Sequence, residues 1–165
     1  MIPWFGAALS ALLRTLLVAC LSLLPVGVSA AESVLRLVGG DGRALDLSLQ
    51  ELQAMPQTTV ATENEFSDGV VSYRGPLVRD VLGLAGMERL AEVRFVAAND
   101  YFVDIPTRDF SDYDAILAMT ADGERLSRRE KGPLWLMYPI SDHAELRSRV
   151  YLRRLIWQVV RIESR

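Results

Sequence analysis

Apolar and polar residues alternate from Val34 to Val38, and the pattern stops at Gly39-Gly40-Asp41-Gly42. A side-chain period of two bounded by glycines predicts a half-buried strand and a turn, with a second short strand near Leu45. Ser48 followed three residues later by Glu51 forms a capping box, which predicts a helix through about Ala54 that Pro56 ends. The β-branched stretch from Thr58 to Thr62 and the run from Val70 to Tyr73 predict two strands, joined across the polar "ENEFSDG". In "YRGPLVRDVLGLAG" the residues Leu77, Val78, Val81, Leu82 and Ala85 share one helical face. That pattern predicts a helix with Pro76 in its first turn and Gly86 as a left-handed cap. Val93 to Ala97 and Tyr101 to Ile105 flank the turn residues "AND" and predict a hairpin. Further strands are expected from Ala115 to Thr120, from Leu134 to Tyr138 and from Ile156 to Ile162. Strands and short helices mix without a regular βαβ alternation, so the expected class is α+β, a compact domain built on a mixed sheet.

The first thirty residues follow a different pattern. Arg14 precedes an apolar run that Pro25 breaks, and Val28-Ser29-Ala30 places small residues at a cleavage position. This is the pattern of a secretory signal peptide over residues 1–30, cleaved after Ala30 or Ala31, with a single domain over 31–165. The run from Leu16 to Leu24 falls short of the roughly 20 apolar residues that a spanning helix needs, so no membrane span is expected after cleavage. "LVAC" ending at Cys20 is the competing pattern, a lipoprotein box. The expected location is the periplasm or the exterior, reached by a Sec-type signal.

Composition narrows the chemistry. The 165 residues carry 18 basic and 21 acidic side chains, and removing Arg14 with the leader brings the net charge near −4. That balance argues against nucleic acid as a partner. Cys20 is the only cysteine, so residues 31–165 offer no disulfide, no thiolate ligand and no cysteine nucleophile. His143 is the only histidine, and no zinc-type spacing surrounds it. No metal-ligating and no catalytic residue is expected.

The blocks "YRGPLVRDVLGLAG", "VAANDYFVDIP", "ILAMTADGERL", "KGPLWLMYP" and "RRLIWQVVRIE" occur in that order over roughly residues 55–163. Together they resemble the molybdopterin-binding domain of the sulfite oxidase family. The resemblance implies a mixed α+β domain of sulfite-oxidase type, whose cofactor-bearing members hold a molybdenum-pterin in a groove. It also implies a cysteine ligand to the metal from the segment before the helix. Here that segment reads Thr62-Glu63-Asn64-Glu65, and a hard carboxylate replaces a soft thiolate poorly. Trp135 stands where the family often has an arginine, and Ile156 where a lysine is common. The leader lacks the twin-arginine pair of the folded-protein export route. From these departures the expectation is that no cofactor is bound.

The candidate ligand-binding residues are Asn99, Asp100, Tyr101, Lys131, Trp135 and Tyr138. The turn and the strand "GPLWLMYP" are expected to border one pocket, with amide and carboxylate groups beside aromatic surface. Each residue has a plainer alternative: a hairpin turn for Asn99-Asp100-Tyr101, a solvated charge for Lys131, and core packing for Trp135 and Tyr138. Arg149 and Arg153 would share a helical face, either as a solvated surface or as an anion site. The functional expectation is an exported, non-catalytic accessory module for a small organic ligand or a periplasmic or membrane protein partner. The alternative is a molybdopterin-dependent oxidoreductase with an unusual ligand set. A structural subunit of a larger complex is a third reading.

Overall fold

The computed structural model describes residues 32–165; the leader and the Cys20 alternative lie outside them. Strand β1 (Ser33–Val38) pairs antiparallel with β2 (Ala44–Ser48), as the glycine-rich turn anticipates. Ser48 then caps α1 (Leu49–Ala54): the Glu51 amide donates to its hydroxyl, and the Glu51 carboxylate accepts from the Ser48 amide. β3 (Gln57–Thr62) and β4 (Val71–Pro76) form an antiparallel pair.

Here one expectation is corrected. Pro76 is the last residue of β4 and not the first turn of a helix; α2 (Val78–Gly83) starts after Leu77. The strand is extended to this point because its backbone packs against a neighbour. A Cβ on Gly75 would sit 1.8 Å from the Leu117 carbonyl oxygen. Leu77 itself bridges to Ile116. The apolar face of α2 is as expected, with Val78, Val81 and Leu82 fully buried, and Gly86 adopts the left-handed conformation after it.

The hairpin of β5 (Glu92–Ala97) and β6 (Phe102–Pro106) follows, and then the short α3 (Asp109–Asp112). The expected strand at 115–120 is two pieces, β7 (Ile116–Ala118) and β8 (Thr120–Ala121), before the turn into β9 (Glu124–Arg125). β10 (Trp135–Met137) pairs with β7, and α4 (Arg149–Leu152) leads to β11 (Val159–Ser164). The last strand begins later than Ile156, because Gln158 takes a left-handed backbone (φ 52°) that breaks the extended run.

Five strands form one sheet in the order β2-β1-β11-β5-β6, parallel only between β1 and β11. A second sheet runs β3-β4-β8-β9, and the β10–β7 pair lies beside it. The class is α+β with mixed pairing, as expected. One apolar cluster extends from Leu35 in β1 to Ile162 in β11. Among the described residues no helix is long and apolar enough to cross a membrane.

Candidate functional site

A cleft of 470 Å³ opens where β5 turns into β6. Asn99 and Tyr101 of that turn form one wall. Arg149 and Arg153, at the start and the C-cap of α4, form the facing wall together with Trp157. Glu65 and Phe66, from the polar link between β3 and β4, complete it.

Local chemistry fixes these walls. The Asn99 side-chain oxygen accepts from the Tyr101 amide at 3.2 Å, and Asp100 takes φ 64°, a left-handed conformation that short polar side chains tolerate. The Tyr101 hydroxyl donates across the cleft to the Arg153 carbonyl at 3.4 Å. Phe66 meets Trp157 edge to face, with centroids 5.2 Å apart. Trp157 remains 37% exposed and Tyr101 48%, so aromatic surface faces the opening.

The cleft has two arginines in its lining. Arg36, Arg79, Arg94 and Arg161 each pair with a carboxylate. Among the described residues Arg149 and Arg153 make no such pair, and both line the cleft with Glu65 as its one acidic residue. Such a wall attracts an anion, and the aromatic faces suit a flat ring.

The expected second wall is corrected. Trp135 (3% exposed) and Tyr138 (0%) do not line the cleft. β10 bonds to β7 along one edge and to the chain at Leu155–Val159 along the other, and all three of its residues are buried. Trp135 lies one layer behind the cleft, where its indole N–H donates to the Leu155 carbonyl at 3.1 Å. Lys131 places its ammonium 4.8 Å from the Trp135 ring and 5.4 Å from that of Phe66. Neither Lys131 nor Asp100 lines the cleft. Tyr138 is fully buried and donates to Asp109 at 3.2 Å; burial and the Asp109 charge push its phenol well above the ordinary range, so it stays neutral.

In the segment Thr62–Glu65 the side chains also separate. Thr62 is buried against Ser141, and the Asn64 amide donates to the Tyr73 hydroxyl at 3.3 Å while its oxygen accepts from the Phe66 amide. Only Glu65 of the four reaches the cleft. Glu65 belongs to the segment that the family resemblance singled out, whereas Phe66 and Trp157 carry no sequence signal of a site and meet because distant segments converge.

The sequence profile of the oxidoreductase molybdopterin-binding domain matches residues 23–143. The chain belongs to that family. Its fold is similar to the crystal structure of the sulfane dehydrogenase SoxCD from Paracoccus pantotrophus, with a TM-score of 0.58 and 20% sequence identity. The similarity covers 79% of this chain but only 37% of the other, so the chain spans little more than a third of that protein's length. No curated protein matches the sequence.

Family membership corrects the expectation that no cofactor is involved, since the matched domain is a molybdopterin-binding one. The lining residues are of the kinds that suit the organic part of that group: two arginines for a phosphate and aromatic residues for a pterin. They do not supply a thiolate, because residues 32–165 contain no cysteine. The match ends at His143, before Arg149, Arg153 and Trp157, so half of the cleft lies beyond it.

Proposed function

We propose that this chain is an exported, non-catalytic accessory module of the molybdopterin-binding family that holds an anionic pterin-type ligand in the cleft. The supporting observation is the pair Arg149 and Arg153, which line one cleft with Phe66, Tyr101 and Trp157 and lack carboxylate partners among the described residues. The guanidinium groups bind the anionic substituent, and the aromatic side chains cover the ring. Asn99 and Glu65 offer an amide and a carboxylate to the ring's polar edge. When bound, a molybdopterin would supply redox chemistry at its metal. This chain's residues bind and orient the organic part, and no histidine or cysteine lines the cleft to ligate a metal. The accessory role rests on that missing ligand; the open mouth allows a ligand to enter after folding.

The test starts with protein isolated from its native envelope, denatured and read for pterin fluorescence. Near one pterin per chain is expected. After that pterin is stripped in denaturant and the protein refolded, it should quench pterin-6-carboxylate fluorescence saturably. A charge-assisted hydrogen bond is worth about 1.5–3 kcal/mol, so Arg149→Ala with Arg153→Ala should weaken that binding by at least about a hundredfold. No pterin and no saturable quenching would overturn the ligand assignment. Dye-coupled oxidation of sulfite by the native protein would replace the accessory role with the oxidoreductase alternative.

A further inference from the structure

Strand β3 stands at the end of its sheet and pairs only with β4. A strand edge presents unpaired amide and carbonyl groups, and proteins blunt such edges with charges, prolines, bulges or very short strands. The other sheet edges here are blunted. β2 carries Asp46, β6 carries Asp104 and ends at Pro106, and β9 is only Glu124–Arg125. β3 reads "QTTVAT", without charge or proline, and its register with β4 runs from Gln57 to Thr62 without a bulge.

The edge is also held straight at both ends. The Gln57 side-chain amide donates to the Leu52 and Met55 carbonyls, each at 2.9 Å. At the other end the Ser141 amide donates to the Thr62 hydroxyl at 3.0 Å. Between these anchors, residues 58–61 make no backbone hydrogen bond beyond the β4 ladder among the described residues. They form one wall of a second groove of 470 Å³, separate from the arginine-lined cleft. The opposite wall presents Asp112, Asp114, Asp142 and His143. Asp114 is shared with Arg79 at 2.6 Å, which leaves Asp112 and Asp142 as carboxylates without an ion-pair partner among the described residues.

We infer that this groove docks an extended basic peptide segment of a partner protein, added to the sheet as a strand beside β3. Main-chain bonds to β3 give the docking its direction, and Asp112 and Asp142 select lysine or arginine side chains. A second copy of this chain is disfavoured, because pairing two β3 edges would bring two acidic walls together.

The test titrates a fluorescently labelled, end-capped Lys-Val-Lys-Val-Lys-Val peptide into the purified protein and follows anisotropy. Saturable one-to-one binding is expected. The same peptide N-methylated at alternate residues should bind at least about tenfold more weakly, since one edge of main-chain donors is removed. Asp112→Asn with Asp142→Asn, both on exposed positions, should weaken binding by about tenfold or more, whereas Arg149→Ala should leave it unchanged. Equal binding of the methylated peptide would show charge attraction alone and overturn the inference. So would equal binding of a Glu-Val alternating peptide, absence of binding, or concentration-dependent dimerisation blocked by Thr59→Lys.

Discussion

Asp109 is 2% exposed, and its carboxylate serves two partners at once. Arg154, 14% exposed, forms an ion pair with it, and the Tyr138 hydroxyl donates to the same oxygen. Burial pushes the carboxyl above its ordinary value, while the Arg154 charge and the Tyr138 bond pull it back. The guanidinium also lies over the Tyr151 ring at 4.8 Å. Removing one member of a buried pair strands the other, which costs far more than the pair contributes. Asp109→Ala should therefore lose about 3–5 kcal/mol in chemical denaturation. Tyr138→Phe should lose only about 1 kcal/mol, because Asp109 keeps Arg154. A loss below 1 kcal/mol for Asp109→Ala would show that the pair holds nothing. None of this was legible in the sequence. Asp109 and Arg154 are 45 residues apart, and neither stands in a pattern that marks it as buried. The turn at Asn99-Asp100-Tyr101 was legible because a hairpin turn announces itself locally. Arg149 and Arg153 were legible only as a shared face, with nothing to say what it faced.

Elements followed their patterns wherever local chemistry decided the outcome. The Ser48–Glu51 capping box, the β5–β6 hairpin and the apolar face of α2 all formed as the spacing predicts. The failures lie where a distant segment decides. "RGPL" has the composition of a helix start, yet Gly75 and Pro76 remain in β4 because β7 passes directly against them. Likewise "LWLMY" could not reveal that Leu155–Val159 would cover its second edge. Gly75 thus answers to packing and not to a turn. Gly75→Ala would place its Cβ 1.8 Å from the Leu117 oxygen, a backbone atom that cannot swing away. The β4–β7 contact must part, and overpacking of this kind costs about 1–3 kcal/mol or more. Thermal melts should show a clear drop for Gly75→Ala. Gly83→Ala, with nothing within 4 Å of its Cβ and a helical position to occupy, should be neutral or slightly stabilising. Equal melting temperatures for both variants would refute the packing account.

At the scale of the whole molecule, ligand chemistry and export must be compatible. The proposed Sec-type route carries an unfolded chain, so a non-covalent pterin could not travel with it. The ligand must then be acquired after folding, through a cleft that is open in the folded protein. Trp157 and Tyr101, about a third and a half exposed, leave the mouth accessible, as this order of events requires. Two measurements test the sequence of steps together. If the proposed export holds, N-terminal sequencing of the mature protein should begin at Ala31 or Glu32, the positions that follow the small residues Val28-Ser29-Ala30. An acylated Cys20 at the N-terminus would instead place the protein on a membrane as a lipoprotein. Protein stripped of ligand in denaturant, refolded, and only then mixed with pterin-6-carboxylate should regain near one bound pterin per chain, the occupancy of the native preparation. Failure to regain it, with a native melting profile restored, would mean that the ligand enters during folding. Post-export loading would then be wrong, and export of the already folded protein would be required.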